Sequence, residues 1–398
     1  MTKRRSKGDG GLYQRGDGLW IGSVDLPPDA SGVRGRKTVS SRDKLTAGAK
    51  LRDLIRDVED GLIAPAADKE TVANWLQVWL DTIAAPRLRP RTLQTYRSTV
   101  KCNIVPHIGS VKLAKLTPAN VLSMHQKVVK AGRSSRTAEI AHNTLSKALD
   151  DARKHGKVRR NVCELVDSPM VSSKKRGTHT TKQARQVLRV ARENGDRMVT
   201  RYAAAYLTGA RQGEMLGLQW DRVDFERGTL HLEWQLQRLK LKKGADPDDP
   251  KRFAVQAGFK HIPLHRGMAL CDPKTDESRR LIPLPEPLAL LLMEYKEKQP
   301  PNPWNLVWVS ARGTPISSRD DTDAWHAALA AAKVPDLVMH AARNTTASLL
   351  LEAKVDAHVI ASIMGHSSIV TTRGYQYVNP ALAREALSNL DGLLSASE

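Results

Sequence analysis

The sequence predicts a multidomain, mainly α-helical protein: a small β-sheet-plus-helix unit, then a helical unit, then an α+β unit with a small antiparallel sheet. Length is the first observation behind this fold class, because 398 residues exceed one small domain and suit two or three. Composition is the second, since 40% hydrophobic residues suffice for packed cores. Periodicity is the third: apolar residues recur at helical spacing, and only short segments alternate like strands.

The first unit is predicted over residues 1–62. Leu19–Leu26 and Arg36–Ser40 have strand composition on either side of a turn rich in Pro and Gly, and a weaker strand precedes them. A helix follows, with apolar residues on one face of Ala47–Val58. Residues 63–69 are predicted to be a linker.

The second unit is predicted over residues 70–167 and is helical. Trp75 and Trp79 lie one turn apart on its first helix, and Thr92 is expected to open the next helix. A basic linker is predicted over residues 168–177.

The third unit is predicted over residues 178–398. It opens with a helix near Thr181, and strands are expected at residues 228–234 and 279–284. Residues 240–272 between these strands form a polar insert with no readable pattern. Helices follow to the end of the chain.

The charge of the chain points to a polyanionic partner. Lys and Arg number 63 and Asp and Glu 42, so the formal net charge is +21, which disfavours an ordinary neutral metabolic enzyme. Residues 87–160 hold 17 Lys and Arg against 3 Asp and Glu, so this helical unit is expected to bind nucleic acid. The candidate DNA-binding residues are Arg87, Arg89, Arg91, Lys174, Lys175 and Arg176.

Other classes are disfavoured by what the sequence lacks. No run of 18 apolar residues predicts a membrane span, and the basic segment Met1–Lys7 precedes no apolar stretch of a signal peptide. Cys102, Cys163 and Cys271 are far apart, so they predict no zinc site and favour a reducing cytoplasm.

Five residues in four short motifs carry candidate chemistry. Arg211 follows a glycine turn at a predicted helix start, where a guanidinium and helix-end amides bind anions. His340 and Arg343 are three residues apart and so share one helical face. His366 follows an apolar helix end, and Tyr375 comes nine residues later. Each motif alone is more often structural, so the interpretation depends on their combination.

Taken together, these motifs resemble the tyrosine recombinases, specifically the integrases of temperate phages and related integrative elements. The resemblance covers essentially the whole chain and implies the tyrosine recombinase fold. It identifies residues 1–62 with an arm-type DNA-binding domain, 70–167 with a helical, SAM-like core-binding domain and 178–398 with the catalytic domain. Ala342 and Asn344 depart from the Leu and His that are usual in the family. The motifs are Thr-Gly-Ala-Arg211-x-Gly-Glu214-x-Leu-x-Leu-x-Trp220, Pro-Lys274-Thr-x-x-Ser-Arg-Arg-x-Ile-Pro-Leu, His340-x-x-Arg343, Met-Gly-His366-Ser-Ser and Tyr375.

The resemblance implies a reaction in which Tyr375 attacks a DNA phosphodiester, giving a 3′-phosphotyrosyl link and a free 5′-hydroxyl. The tyrosine hydroxyl has an ordinary pKa near 10, so its proton must be taken or its oxyanion stabilised. Arg211 and Arg343 would hold the two non-bridging oxygens and stabilise the added charge of the transition state.

The remaining site residues have supporting roles in the same scheme. His340 and His366 would hydrogen-bond the phosphate and assist proton transfer, and Lys274 would protonate the leaving 5′ oxygen. Glu214 would orient its neighbours. The resemblance implies no metal and no cofactor, and the sequence holds neither a P-loop nor a His-Glu-x-x-His motif.

Two of these assignments have rivals in the sequence. Tyr377 competes with Tyr375, although the spacing from His366 favours Tyr375. The lysines of the insert compete with Lys274 for the role of acid; they are Lys240, Lys242, Lys243, Lys251 and Lys260.

Two other functions are compatible with the sequence. A type IB topoisomerase would use the same chemistry, but relaxation of DNA does not require a second, separate DNA-binding domain. A DNA-binding regulator with an inactive site is disfavoured because the candidate catalytic residues are all in place.

The resemblance also implies partners and a location. These are double-stranded DNA with core-type and arm-type attachment sites, a homotetramer on DNA, a host DNA-bending protein and an excisionase. The apolar stripe of the C-terminal helix after Pro380 would dock on its own domain or on a neighbouring protomer. The expected location is the cytoplasm of a bacterial host, on the nucleoid; a phage and an integrative plasmid origin are equally compatible.

We expect the affinity for duplex DNA to fall steeply with salt. Each neutralised phosphate adds about −0.9 to the slope of log affinity against log salt, so six contacts cost about 10³-fold between about 50 and 200 mM salt. Fluorescence anisotropy with a duplex from the DNA flanking the gene measures this slope. A flat response would contradict the argument from charge.

Overall fold

The computed structural model describes residues 10–28, 34–59, 70–171, 177–273, 279–352 and 354–364. The chain divides into two compact units. In the structure, the name first unit denotes residues 1–173, and the name second unit denotes residues 174–398. Within the described ranges, no helix is long and apolar enough to cross a membrane.

The first unit opens with a three-stranded antiparallel sheet in the order β1-β2-β3, with helix α1 packed on it. Val24 of β2 and Ala47, Leu51 and Leu54 of α1 are buried at this contact, as the apolar face in the sequence predicts. The bounds are β1 Gly11–Gln14, β2 Trp20–Pro28, β3 Arg34–Ser41 and α1 Lys44–Glu59.

A helical bundle forms the rest of the first unit. Trp75 and Trp79 lie in its core, where the Trp75 indole donates to Ala148 O (2.9 Å) and the Trp79 indole donates to Asp151 Oδ2 (2.8 Å). These two bonds join the first helix of the bundle to the last. The helices are α2 Val72–Val78, α3 Pro90–Thr99, α4 Val105–Ile108, α5 Pro118–Lys130 and α6 Ser135–Lys154, with π-helical turns at Trp79–Ala84 and Val100–Ile104.

Two prolines shape the bundle. Helix α3 begins at Pro90 with Arg89 as its N-cap, so the prediction that Thr92 opens it is wrong by two residues. Proline suits a first helical position because its fixed φ is helical and its missing N–H has no intrahelical partner there. Pro106 cannot donate inside a helix, and the π-helical turn before it shifts the Val105 N–H to Val100 O.

The second unit packs helices around two small antiparallel sheets. Helix α8 runs through its core, and Tyr202 and Tyr206 on α8 are buried against Trp325 of α11. The helices are α7 Thr181–Glu193, α8 Val199–Thr208, α9 Gln212–Leu216, α10 Glu286–Lys298, α11 Ser318–Ala331, α12 His340–Glu352 and α13 Ala357–Met364. The strands are β4 Val223–Asp224, β5 Thr229–Leu232, β6 Gln235–Arg238, β7 His261–Pro263, β8 Met268–Cys271 and β9 Arg280–Pro283.

The predicted small antiparallel sheet is the one ordered β4-β5-β9, in which Leu230 pairs with Ile282 and Leu232 with Arg280. The polar insert, for which no structure was predicted, contributes to a second sheet ordered β6-β8-β7. This sheet has a small core of its own, made by Leu239, Phe253, Ala269 and Cys271.

The buried side chain of Arg252 links three segments of the insert by hydrogen bonds. It is 2% exposed, and its guanidinium donates to Arg266 O (2.7 Å), Asp249 O (3.0 Å) and Leu264 O (3.1 Å). A buried guanidinium is stable only when its donors are satisfied, and these carbonyls satisfy it. The insert is therefore a folded extension of the sheet.

The bundle contains a buried histidine pair, His125 of α5 and His142 of α6, with His142 Nδ1 and His125 Nε2 3.2 Å apart. Burial and the neighbouring His142 lower the pKa of His125 to about 4, and burial lowers the pKa of His142. Because the unfolded chain takes up these protons near pH 6.5, folding stability is complete above that pH and is lost as the pH falls towards 4.

We expect the free energy of unfolding to drop by about 2 kcal/mol between pH 7 and pH 5 through His125. Urea unfolding of the full chain at the two pH values measures the drop. It should shrink in His125→Gln and persist in the control His107→Gln, a half-buried histidine of the same unit. An unchanged drop in His125→Gln would contradict this account.

Candidate active site

The turn between α8 and α9 places Arg211 and depends on a glycine. Gly209 ends α8 in the left-handed conformation, with φ of 58°. A Cβ added there would lie 2.6 Å from Met364 Sδ, so a side chain would also collide with α13. Glycine meets both constraints, and it turns the chain so that Arg211 becomes the N-cap of α9.

Glu214, in the first helical turn of α9, binds both the main chain and the side chain of Arg211. Its Oε2 accepts from the Arg211 backbone N–H (2.9 Å), and its Oε1 accepts from Arg211 Nη1 (2.8 Å). The carboxylate is 2% exposed, whereas the Arg211 side chain is 37% exposed. Glu214 therefore holds the guanidinium that remains accessible to a substrate.

Arg280 is a further member of this cluster. It enters from the first position of β9, and its two Nη atoms donate to Glu214 Oε2 (3.0 Å) and Oε1 (3.3 Å). In the sequence Arg280 stands within the motif that contains Lys274, and no separate role is predicted for it. The signal was available, because strand alternation puts Arg280 on the same face as Ile282, which is buried.

Arg343 reaches the same place from α12 and is 4% exposed. Its Nη1 donates to Gly209 O (2.6 Å), and its Nη2 donates to Met364 O. Arg280 Nε donates to the neighbouring carbonyl of α13, Ile363 O (3.1 Å). Two arginines thus hold the end of the helix that precedes Gly365 and His366.

The cluster gathers three guanidinium groups around one carboxylate. Burial, followed by the positive charges of Arg211 and Arg280, lowers the pKa of Arg343 to about 10, and the charge of Glu214 opposes this shift. Burial favours protonation of Glu214, but the charge and hydrogen bonds of Arg280 and those of Arg211 outweigh it, so the Glu214 pKa falls below its usual value. Three arginines against one carboxylate leave a surplus of positive charge, which suits an anion such as a phosphate.

Of the other predicted site residues, His340 lies within the described part of the chain. His340 begins α12 and is exposed, three residues before the buried Arg343. Lys274, His366 and Tyr375 lie outside the described residues. The same holds for Tyr377 and the C-terminal segment. The structure thus brings Arg211, Glu214 and Arg343 together. The rival lysines Lys240, Lys242, Lys243, Lys251 and Lys260 are exposed on the insert.

The candidate DNA-binding residues of the first unit lie at the turn into α3. Arg87 is exposed, and its Nη1 lies 3.3 Å from Asp151 Oδ1, on the carboxylate that also accepts from Trp79. Arg89 is the α3 N-cap, and Arg91 is exposed in its first turn. The linker candidates Lys174, Lys175 and Arg176 lie outside the described residues.

No group of three or more His, Cys, Asp or Glu side chains that could hold a metal ion occurs in the described part of the chain.

Comparison with known proteins shows the family of this chain. Residues 254–381 match the model of the phage integrase family, and residues 71–128 match a phage integrase N-terminal SAM-like domain. An integrase of Streptomyces ambofaciens is 32% identical over 94% of this chain and 92% of that protein. An integrase of Saccharopolyspora erythraea is 26% identical over 98% of both chains.

A solved structure shares the fold. The lambda integrase tetramer bound to a Holliday junction matches with a TM-score of 0.56 and 18% identity, over 92% of this chain and 98% of that chain. The chain therefore belongs to the phage integrase family of tyrosine recombinases. It is an enzyme of site-specific recombination, of the integrase type.

We expect Arg280→Met to destabilise the chain far more than Arg279→Met does. Arg280 and Glu214 are 8% and 2% exposed, and breaking a buried pair costs about 3–5 kcal/mol. Arg279 pairs with Asp272 at 36% and 24% exposure, and such a pair contributes at most about 1 kcal/mol. Urea unfolding of the two variants measures the difference, and equal losses would contradict the role given to Arg280.

Proposed function

We propose that this enzyme integrates a phage or mobile element at attachment sites, and excises it with accessory factors, through a 3′-phosphotyrosyl intermediate. The observation that carries the proposal is the cluster of Arg211, Arg280 and Arg343 around Glu214. Three cations and one carboxylate leave a net positive site, and Arg211 at its rim is 37% exposed. A phosphodiester in transfer carries the charge that such a site stabilises.

In this proposal Tyr375 is the nucleophile. Its oxygen forms a bond to phosphorus while the bond from phosphorus to the 5′ oxygen breaks. Arg211 and Arg343 stabilise the charge that develops on the non-bridging oxygens. Bond energy is kept in the phosphotyrosine, so a 5′-hydroxyl from a second strand can reverse the step and rejoin DNA without ATP.

Protons are handled by the other residues. Lys274 gives a proton to the leaving 5′ oxygen, while His340 and His366 hydrogen-bond the phosphate and assist transfer of the tyrosine proton. The exposed position of His340 at the start of α12 supports this role, because a group that meets substrate must be reachable. Glu214 orients Arg211. We propose that the reaction uses no metal and no cofactor.

The domains divide the work of DNA recognition. We assign residues 1–62 to arm-type sites, residues 70–167 to core-type sites and residues 178–398 to catalysis, with linkers at 63–69 and 168–177. In the core-binding domain the DNA contacts come from Arg87, Arg89 and Arg91, and in the second linker they come from Lys174, Lys175 and Arg176. Because one chain carries two DNA-binding domains, its binding to DNA is bivalent.

The assembly is proposed to be a homotetramer on double-stranded DNA. The lambda integrase structure that shares the fold is a tetramer bound to a Holliday junction. A host DNA-bending protein and an excisionase would set direction, and the reaction would take place on the nucleoid in the bacterial cytoplasm.

Covalent trapping tests the proposal. The protein is mixed, in EDTA, with nicked duplexes cut from the DNA flanking its gene and run on denaturing gels. We expect an SDS-resistant adduct with wild type and with Tyr377→Phe, and no adduct with Tyr375→Phe. Arg211→Ala should slow adduct formation about 10²–10³-fold, as for loss of one transition-state donor.

Each outcome has one meaning. An adduct that survives in Tyr375→Phe but not in Tyr377→Phe would move the nucleophile to Tyr377. Tight binding of wild type without any adduct would favour a DNA-binding regulator. Adduct formation without joining between two sites would favour relaxation of DNA over integration.

A further inference from the structure

A buried ion pair connects α8, the helix that precedes the Arg211 turn, with α11. Arg201 of α8 and Asp321 of α11 are 1% and 0% exposed, with Arg201 Nη2 and Asp321 Oδ2 3.0 Å apart. The site residues already described do not include either of them.

Stability alone does not account for this pair. Arg201 Nε, Arg201 Nη1 and Asp321 Oδ1 are buried and lack hydrogen-bond partners among the described residues. Burying two charges costs more than their attraction returns unless their remaining donors and acceptors are satisfied. The pair therefore costs stability, and the groups that it holds in place give it another role.

Asp321 holds the first residue of α9. Gln212 Nε2 donates to Asp321 Oδ2 (2.9 Å), Ser318 O (2.9 Å) and Thr322 Oγ1 (3.1 Å), all in the first turns of α11. Gln212 follows Arg211 directly, so these bonds fix the backbone from which the Arg211 side chain extends.

Arg201 holds the residue before His340. The Nη2 atom that binds Asp321 also donates to Met339 Sδ (3.3 Å), and Met339 is 8% exposed. One buried pair thus touches the neighbours of two site residues, Arg211 and His340, that lie far apart in sequence.

We propose that Gln212, anchored on the Arg201–Asp321 pair, is a positioning residue that sets Arg211 against the scissile phosphate. The inference rests on the proposed function and deepens it. Glu214 fixes the Arg211 guanidinium from one side, and Gln212 fixes its main chain from the other. Displacement of a catalytic group by about 1 Å is enough to slow a reaction about 10²-fold.

The test changes the donors and keeps the volume. Gln212→Leu fills the same space without donors, whereas Gln212→Lys supplies three donors to the same three acceptors. Asp321→Asn is the more direct change, but it leaves Arg201 buried without its counter-charge and threatens folding. Gln186→Ala is the control, because it removes one glutamine bond at the other end of α11, from Gln186 Nε2 to the O atom of the C-cap residue Ala332 (2.7 Å).

The readouts are the single-turnover rate of adduct formation on the nicked duplex at saturating protein, the dissociation constant for that duplex and the thermal midpoint. We expect Gln212→Leu to slow adduct formation about 10-fold or more, with affinity and midpoint near wild type. Gln212→Lys and Gln186→Ala should stay within about threefold of the wild-type rate.

Three results would overturn the inference: a wild-type rate in Gln212→Leu, parallel losses of rate and affinity, or a Gln212→Lys rate as low as that of Gln212→Leu. These results presuppose that wild type forms the adduct. If wild type forms none, the proposed function itself fails, and this inference fails with it.

Discussion

The rest of the site depends on the ion pairs that the Glu214 carboxylate makes with its neighbouring arginines. Arg211, Arg280 and Arg343 come from a helix start, a strand and a helix far apart in sequence, and like charges repel when they are buried together. Glu214 offsets part of that repulsion and accepts hydrogen bonds from two of the three. The site is left incompletely neutralised, and a bound phosphate would complete it.

The end of α13 is organised by the same arginines. The last carbonyls of a helix have no intrahelical donors, and they carry the negative end of the helix dipole. Arg280 and Arg343 supply donors and positive charge to Ile363 O and Met364 O. Arg343 and the end of α13 are thereby fixed relative to each other.

Much of the fold was predictable, because its elements carry local signals. Apolar spacing predicts α1, strand composition predicts the first sheet, and the glycine turn predicts Arg211 at a helix start, whereas Glu214 is implied by the family resemblance. Arg280 was given no role, because its importance comes from a contact with Glu214, 66 residues away. Strand alternation predicts that Arg280 faces the same way as the buried Ile282, but it contains no information on the partner of Arg280.

The second sheet was missed for a different physical reason. Its strands have three or four residues, and two of them are separated by a long stretch of polar, Gly- and Pro-containing chain. Alternation over so few residues cannot be distinguished from a loop. The core of Leu239, Phe253 and Cys271 exists only after the strands pair, so the sequence alone does not display it.

Because the insert has a small core of its own, it can carry a peptide tag in its exposed loop. The two strands and Arg252 hold the insert together, and the Lys242 N–H donates to Arg252 O to close a loop whose first residues, Lys242, Lys243 and Gly244, are exposed. Lengthening a surface loop is thermodynamically inexpensive, at about 0.6 kcal/mol for each doubling. A short peptide tag inserted after Gly244 would thus be carried outside both cores of the second unit, where it would report the position of this enzyme on DNA.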